Sequence, residues 1–105
     1  MHIQIINFHL KGLSEGDFRA KCDEIAPLYT DLPGLISKVW LANSRTNTYG
    51  GVYTWESRAA MEAFAQSELF RAVALNAAFT DVTSDHFDVL EDPTRVTHGL
   101  VPAPA

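Results

Sequence analysis

The sequence has few of the residues on which several common kinds of site depend. Its 105 residues include one cysteine, Cys22, so no disulfide or cysteine-ligated zinc site can form within the chain. The four histidines share no short ligand spacing, so we expect no bound metal. Neither a glycine-rich nucleotide loop nor a serine nucleophile elbow is present. These absences exclude nucleotide-binding and serine-hydrolase motifs.

Basic charge and long apolar runs are also scarce. Eight Lys and Arg residues stand against 13 Asp and Glu, and the basic residues are scattered, so we expect no nucleic-acid partner. No apolar run approaches the roughly 18 residues of a membrane span, and the N-terminus has no signal-peptide pattern. With 47% hydrophobic residues, the sequence predicts one soluble, cytoplasmic domain without a membrane partner.

The periodicity of apolar residues predicts four strands and a helical region after the first and third. Ser14 is a candidate N-cap for the first helix, and Pro27 should kink its last turn. The apolar face of that helix comprises Phe18, Cys22, Ile25 and Tyr29. Ser57 begins a second helical region that is broken near Ser67. The predicted strands are residues 2–10, 35–43, 49–56 and 81–91.

The order βαββαβ predicts a ferredoxin-like α+β sandwich, in which helices cover one side of a four-stranded antiparallel sheet. We assign residues 1–92 to this domain and residues 93–105 to a Pro-containing C-terminal tail. Apolar residues also occur at strand positions that we place on the uncovered face, namely Ile6, Phe8, Val39, Val52 and Val89. Because such a face would be a large exposed patch in a monomer, we expect a homodimer whose two sheets close an α/β barrel.

Aromatic residues are concentrated on the two middle strands. Lys38-Val39-Trp40 is followed after nine residues by Gly50-Gly51-Val52-Tyr53-Thr54-Trp55. Three large rings on adjacent strands fill a core or line a pocket for a flat ligand, and the glycines leave room beside the backbone. The sequence therefore predicts a small-molecule site.

These segments, together with Phe87-Asp88-Val89 in the last strand, resemble the YdhR-like monooxygenases of the dimeric α/β-barrel superfamily. The resemblance covers about residues 3–92. It implies the dimeric barrel fold and a cofactor-independent monooxygenase that acts on an aromatic or polyketide-like small molecule. Trp55-Glu56-Ser57 and Phe70-Arg71-Ala72 resemble the wider group of antibiotic-biosynthesis monooxygenases.

The quinone-forming members of this superfamily use an asparagine four residues before a strand-end tryptophan, that tryptophan, and a helical arginine. Trp55 matches the tryptophan and Arg71 the arginine, but Gly51 stands in place of the asparagine. The haem-degrading branch uses a first-strand asparagine, which Asn7 resembles. Its tryptophan and its haem-ligating histidine have no counterpart, because Phe64 and Ala74 occupy those positions, and we expect no cofactor.

An electron-rich phenol or anthrone can react with dioxygen if a base removes its proton and a polar donor stabilises the anion. The expected base is His9 before His86, and Arg71 would steady the anion; we place Asn7, Gly51, Tyr53 and Trp55 on the helix-facing side. The same pocket would also suit an isomerase, cyclase or dehydratase, or a protein that only binds ligand, and each residue has an ordinary structural explanation. The candidate catalytic residues are His9, Asn7, Trp55, Arg71 and His86; the candidate substrate-binding residues are Tyr29, Trp40, Tyr53, Phe64 and Phe70.

Overall fold

Four antiparallel strands form a single sheet in the computed structural model, which describes residues 1–100. The strands lie in the order β2-β3-β1-β4, so β1 is central between β3 and β4. This order and the sequence of elements confirm the predicted ferredoxin-like sandwich. The strands are β1 (His2–Leu10), β2 (Leu35–Asn43), β3 (Thr48–Trp55) and β4 (Phe79–Asp88).

Serine residues begin the three helices that pack on the sheet. The hydroxyls of Ser14, Ser57 and Ser67 each accept a hydrogen bond from the backbone N–H three residues later, at 3.1 or 3.2 Å. The break near Ser67 divides the second helical region into two helices, as predicted. The helices are α1 (Glu15–Tyr29), α2 (Arg58–Ala65), α3 (Glu68–Ala74) and α4 (Glu91–Val96).

The last strand and the segment after it differ from the prediction. β4 begins two residues earlier than expected, because Phe79 packs against Phe8 at 4.5 Å between ring centroids. It also ends earlier, since α4 starts at Glu91 and accommodates Pro93 in its first turn, where no backbone N–H is needed. Ordered structure therefore continues into the predicted tail, whose residues 101–105 lie outside the described part of the chain.

The sheet has one covered face and one open face. Even-numbered residues of β1 from His2 to Phe8 are buried beneath the helices, whereas the odd-numbered residues between them are only partly buried. The prediction that Ile6 and Phe8 lie on the open face is therefore wrong. Val39, 57% exposed, and its cross-strand partner Val52 do lie on that face. Among the described residues, no helix is long and apolar enough to cross a membrane.

Candidate active site

A cavity of about 120 Å³ lies between the covered face of the sheet and helices α1 and α3. Ile6, Gly50 and Gly51 form its floor, and Phe18 and Val73 are among its helical walls. An apolar cavity of roughly 150 Å³ is known to hold benzene. The space between the sheet and the helices therefore matches one aromatic ring.

Lys38 brings an amine into this largely apolar cavity from β2. Its Nζ lies 3.4 Å from the ring centroid of Trp40, 3.6 Å from that of Tyr29 and 4.7 Å from that of Tyr53. Among the described residues, no carboxylate forms a salt bridge with Lys38. The amine is thus surrounded by ring faces and lacks the acidic partner that a half-buried lysine usually has.

Burial sets the protonation behaviour of the polar groups in the cavity. Desolvation lowers the pKa of Lys38 to about 7, and the nearby Cys22 opposes that effect weakly. The surrounding ring faces also favour the ammonium, so both protonation states of Lys38 are accessible near neutral pH. Burial raises the pKa of the Tyr29, Tyr53 and Cys22 side chains, which keeps them neutral.

Gly51 leaves the space that the Lys38 side chain occupies. A Cβ atom added at Gly51 would lie 2.9 Å from Lys38 Cε and 3.3 Å from a Tyr53 ring carbon. An asparagine at this position, as in the quinone-forming monooxygenases described above, would displace the lysine. The absence of the asparagine and the inward-facing position of Lys38 are therefore linked, because a side chain at position 51 would occupy the space of the lysine.

The predicted aromatic residues lie in two layers. Tyr29, Trp40 and Tyr53 line the cavity itself. Trp55 lies behind Tyr53, fully buried, with the two rings nearly parallel at 3° and 6.0 Å apart. Its Nε1 donates to Gln4 Oε1 at 3.1 Å, so its one polar group is already satisfied within the core.

Phe64 and Phe70 belong to the layer behind the cavity. Phe64 packs at 5.3 Å from the Trp55 ring and 5.4 Å from the Tyr53 ring, between centroids. Phe70 stands edge-on to Phe64 at 5.6 Å. Trp55, Phe64 and Phe70 therefore support the lining rings but do not themselves line the cavity.

The prediction that Asn7 lies on the helix-facing side of the sheet is wrong, whereas Gly51, Tyr53 and Trp55 do lie on that side. Asn7 pairs with Gly50 across β1 and β3, and its side chain points away from the helices because buried positions of β1 are even-numbered. Apolar residues occur at both parities of β1, so periodicity alone does not determine which set faces inward.

The histidine and arginine candidates lie away from the cavity. His9 Nδ1 is 2.8 Å from the backbone oxygen of Asn47, at an exposed end of β1. His86 is exposed on β4, and its Nδ1 lies 2.7 Å from His2 Nε2. Arg71 is exposed on α3. None of the three lines the cavity, so a catalytic role for them would require a different site.

Sequence reasoning missed Lys38 as a functional residue, although it quoted the segment that contains it. A strand lysine is most often solvent-exposed. The available signal was parity, because Lys38 shares its side of β2 with Trp40 and pairs with Tyr53 across the sheet. The contribution of Tyr29, which comes from α1, depends on tertiary packing.

The family model described as "Putative mono-oxygenase ydhR" matches residues 3–100 of this chain. No curated protein matches it in sequence. The match covers β1 from its second residue, the other three strands and the four helices, so it includes every residue of the cavity.

Several solved structures share the fold. The haem degrader MhuD of Mycobacterium tuberculosis, with two haems in its active site, is 21% identical, with a TM-score of 0.70 over 88% of this chain and 98% of its own. A variant of SnoaB, a cofactor-independent oxygenase of Streptomyces nogalater, is 20% identical, with a TM-score of 0.65 over 86% and 94%. A Nitrosomonas europaea protein of unknown function is 16% identical, with a TM-score of 0.73 over 99% and 94%. At such identities, the similarity establishes the fold alone.

Proposed function

The chain belongs to the ydhR mono-oxygenase family, and we propose that it is a cofactor-independent monooxygenase acting on a single-ring phenol in the cavity beside Lys38. One observation carries this proposal: the Lys38 amine, without an acidic partner among the described residues, lies over aromatic rings that line a cavity of one-ring size. The cofactor-independent oxygenase SnoaB, which shares the fold, gives secondary support.

In the proposed reaction, the neutral Lys38 amine removes the proton of the ring hydroxyl. The resulting ammonium stays beside the phenolate and stabilises its charge in surroundings from which water is largely excluded. Lys38 thus acts as the general base, the role predicted for a histidine, and as the cation that stabilises the anion, the role predicted for Arg71. General base catalysis typically contributes about a hundredfold to ten-thousandfold in rate.

The electron-rich phenolate then reduces dioxygen by one electron, and the two radicals combine at the ring carbon para to the oxygen. Loss of water from the hydroperoxide that forms gives a quinone. Overall, one phenol and one dioxygen yield one quinone and one water, so no external reductant is required. The rings of Tyr29, Trp40 and Tyr53 hold the substrate flat beside the amine.

The cavity does not fit haem, which the structural neighbour MhuD binds. Its volume of about 120 Å³ is below the roughly 300–1,000 Å³ of ordinary ligand pockets, and haem is larger than most such ligands. No histidine is among the residues that line it. The reaction proposed for this chain therefore does not involve haem.

An isomerase, cyclase or dehydratase is the second candidate function. The same amine could move a proton between two atoms of a bound substrate without dioxygen, and the pair of protonation states near neutral pH favours that use. Turnover under anaerobic conditions would distinguish this function from oxygenation.

We also propose that the protein is a homodimer through the open face of the sheet. Apolar side chains lie there at Ile3, Ile5, Val39, Val52 and Phe87. Ile3 borders a shallow groove with Pro93 and Thr94 of α4, whereas Val39 and Phe87 are more than half exposed. Two copies packed face to face would remove this surface from water while leaving the cavity on the opposite side of each sheet.

The oxygenase proposal is tested by following dioxygen uptake with electron-rich phenols that have an unsubstituted para carbon. Single-ring phenols should turn over faster than the three-ring anthrone, and labelled dioxygen should place one oxygen atom in the quinone. Lys38→Met should lower kcat by about a hundredfold or more. Lys11→Met, an exposed lysine outside the cavity, is the matched control and should keep the wild-type rate. Wild-type kcat in Lys38→Met would contradict the role of the amine.

A further inference from the structure

The Lys38 amine is placed for a second kind of chemistry that needs no dioxygen. Its Nζ lies within 3.4 to 4.7 Å of three ring centroids, next to an open space of about 120 Å³. Among the described residues, no carboxylate forms a salt bridge with Lys38 that would stabilise the ammonium form. The nitrogen lone pair is therefore available when the amine is neutral. An amine held this way beside an apolar space is suited to attack a bound carbonyl group.

We infer that Lys38 captures a single-ring aromatic aldehyde in the cavity as a reversible imine. The nitrogen lone pair attacks the carbonyl carbon and forms a C–N bond. The carbonyl oxygen then takes up the nitrogen proton together with one from solvent and leaves as water, which leaves a C=N double bond. No oxidant or reductant is consumed, and hydrolysis returns both partners.

The aldehyde class follows from the shape and polarity of the site. One benzene ring fits the cavity volume, and the faces of Trp40 and Tyr53 offer surfaces on which it can stack. The largely apolar lining of the cavity favours imine formation, because water is a product of the reaction and is held weakly there. The pKa of Lys38, lowered by burial to about 7, supplies neutral amine at neutral pH.

Gly51 sets the position of the reacting nitrogen. An added Cβ would lie 2.9 Å from Lys38 Cε, so even alanine at this position would move the end of the lysine side chain. This shortest contact is with a flexible chain end, and the nearest backbone atom, the Val39 carbonyl oxygen, lies at 3.3 Å, so the sheet should tolerate the change with a small adjustment. Gly51→Ala therefore keeps the Lys38 amine but shifts its position, so this variant tests whether that position matters.

The test is reductive trapping at pH 7.5 with benzaldehyde and sodium cyanoborohydride, which converts the imine to a stable benzylamine. Peptide mapping then compares Lys38 with the other two lysines, Lys11 and Lys21, within the same chain. Lys11 is exposed and remote, whereas Lys21 is exposed at the border of the cavity. We expect Lys38 to be labelled about tenfold faster than either, although it is the least exposed.

Three further results decide the inference. Lys38→Arg should remove the fast label while circular dichroism shows a folded protein, and Gly51→Ala should slow labelling at Lys38 alone. The two-ring 1-naphthaldehyde should label Lys38 more slowly than benzaldehyde does, because it exceeds the cavity. Equal labelling of the three lysines, or equal rates for the two aldehydes, would overturn the inference. Since no dioxygen takes part, a failed oxygen-uptake experiment leaves this result intact, and the reverse is also true.

Discussion

Lys38 and Val39 are neighbours in the chain, yet they lie on opposite faces of the sheet in entirely different surroundings. Lys38 points toward the helices, into a cavity with three aromatic rings around its amine. Val39 is 57% exposed on the open face, beside other aliphatic residues. The alternation of side chains along one strand therefore separates the candidate active site from the candidate dimer interface.

The two faces also differ in what kind of residue each contains. The covered face has nearly all of the large rings, and the polar groups there are mostly paired, as with Trp55 and Gln4. The open face has the aliphatic residues Ile3, Ile5, Val39 and Val52 and the ring of Phe87, together with polar residues such as Asn7 and Asp85. A ligand that needs stacking belongs to the first face, and a flat partner surface belongs to the second.

The largest effect is expected from a charge on the open face. Val39→Asp should raise the dimer dissociation constant by about a hundredfold or more, because the carboxylate would be buried without a partner in the interface. Light scattering across a dilution series measures this. The control is Leu28→Asp on α1, since Leu28 is 59% exposed and so nearly equal to Val39 in a monomer.

Leu28→Asp should leave the dimer intact. If Val39→Asp stays dimeric at micromolar concentration, or if the wild-type protein is a stable monomer there, the open face is not the interface. Dissociation by both variants alike would place the contact on the helical side instead.

The second effect is a difference in stability between alanine variants of the two adjacent glycines of β3. A Cβ at Gly50 would overlap the Ile6 carbonyl oxygen, which cannot move without disrupting the pairing of β1 and β3. Gly50→Ala should therefore lower the free energy of unfolding by about 3 kcal/mol. At Gly51 the closest contact of an added Cβ is the flexible end of Lys38, with a Tyr53 ring carbon and the Val39 carbonyl oxygen both at 3.3 Å, so Gly51→Ala should cost about 1 kcal/mol while lowering kcat about tenfold.

Urea unfolding and steady-state kinetics on both variants provide the measurements. A stable Gly50→Ala protein would show that the backbone there relaxes readily. A fully active Gly51→Ala protein would show that the position of the Lys38 amine does not matter to turnover.

The third effect is the pH dependence of stability that Lys38 introduces. Burial lowers its pKa in the folded state from 10.5 to about 7, so between these values the unfolded chain binds the extra proton. Stability therefore rises with pH across this window, by at most about 1.4 kcal/mol per pH unit, and the ring faces reduce the gain. Between pH 7 and 9.5 we expect about 2 kcal/mol in wild type relative to Lys38→Met.

Unfolding curves of both proteins at equal concentration and at pH 6, 7.5 and 9.5 measure the difference. Above about pH 10, the raised pKa values of Tyr29 and Tyr53 act in the opposite direction, because these phenols ionise more readily when unfolded. Parallel pH profiles for the two proteins would mean that the Lys38 amine is hydrated in the folded state.

The sequence predicted the fold well because each strand and helix carries its own periodic signal. The four strands, the Ser14 and Ser57 caps and the interrupted second helix all follow from local pattern. Local pattern did not orient β1, where Ile5 and Ile6 are equally apolar but face opposite ways. Asn7 and Phe8 were assigned to the wrong faces for this reason.

The candidate site was only partly predictable, because its central feature comes from three separate elements. The rings of Tyr29, Trp40 and Tyr53 were identified as a ligand-binding set, and they do line one cavity. The position of Lys38 among them depends on the packing of α1 against β2 and β3. Histidines were predicted to be the base because their ordinary pKa suits neutral pH. A lysine acts as a base near neutral pH only where burial lowers its pKa, and that burial depends on the tertiary structure.

The smallest effects on kcat are expected from substitution of the two candidate histidines. His9 lies near the end of β1, and His86 lies on the edge strand β4. His9→Ala removes an exposed contact to the Asn47 carbonyl, and His86→Ala removes the partner of His2 Nε2. We expect kcat within about twofold of wild type for both, with stability losses of no more than about 1 kcal/mol. Parallel measurement of Lys38→Met, with its expected hundredfold loss, supplies the scale. A tenfold fall in kcat for either histidine variant, with substrate affinity unchanged, would place the reacting atoms outside the cavity and return the base to the position that the sequence first suggested.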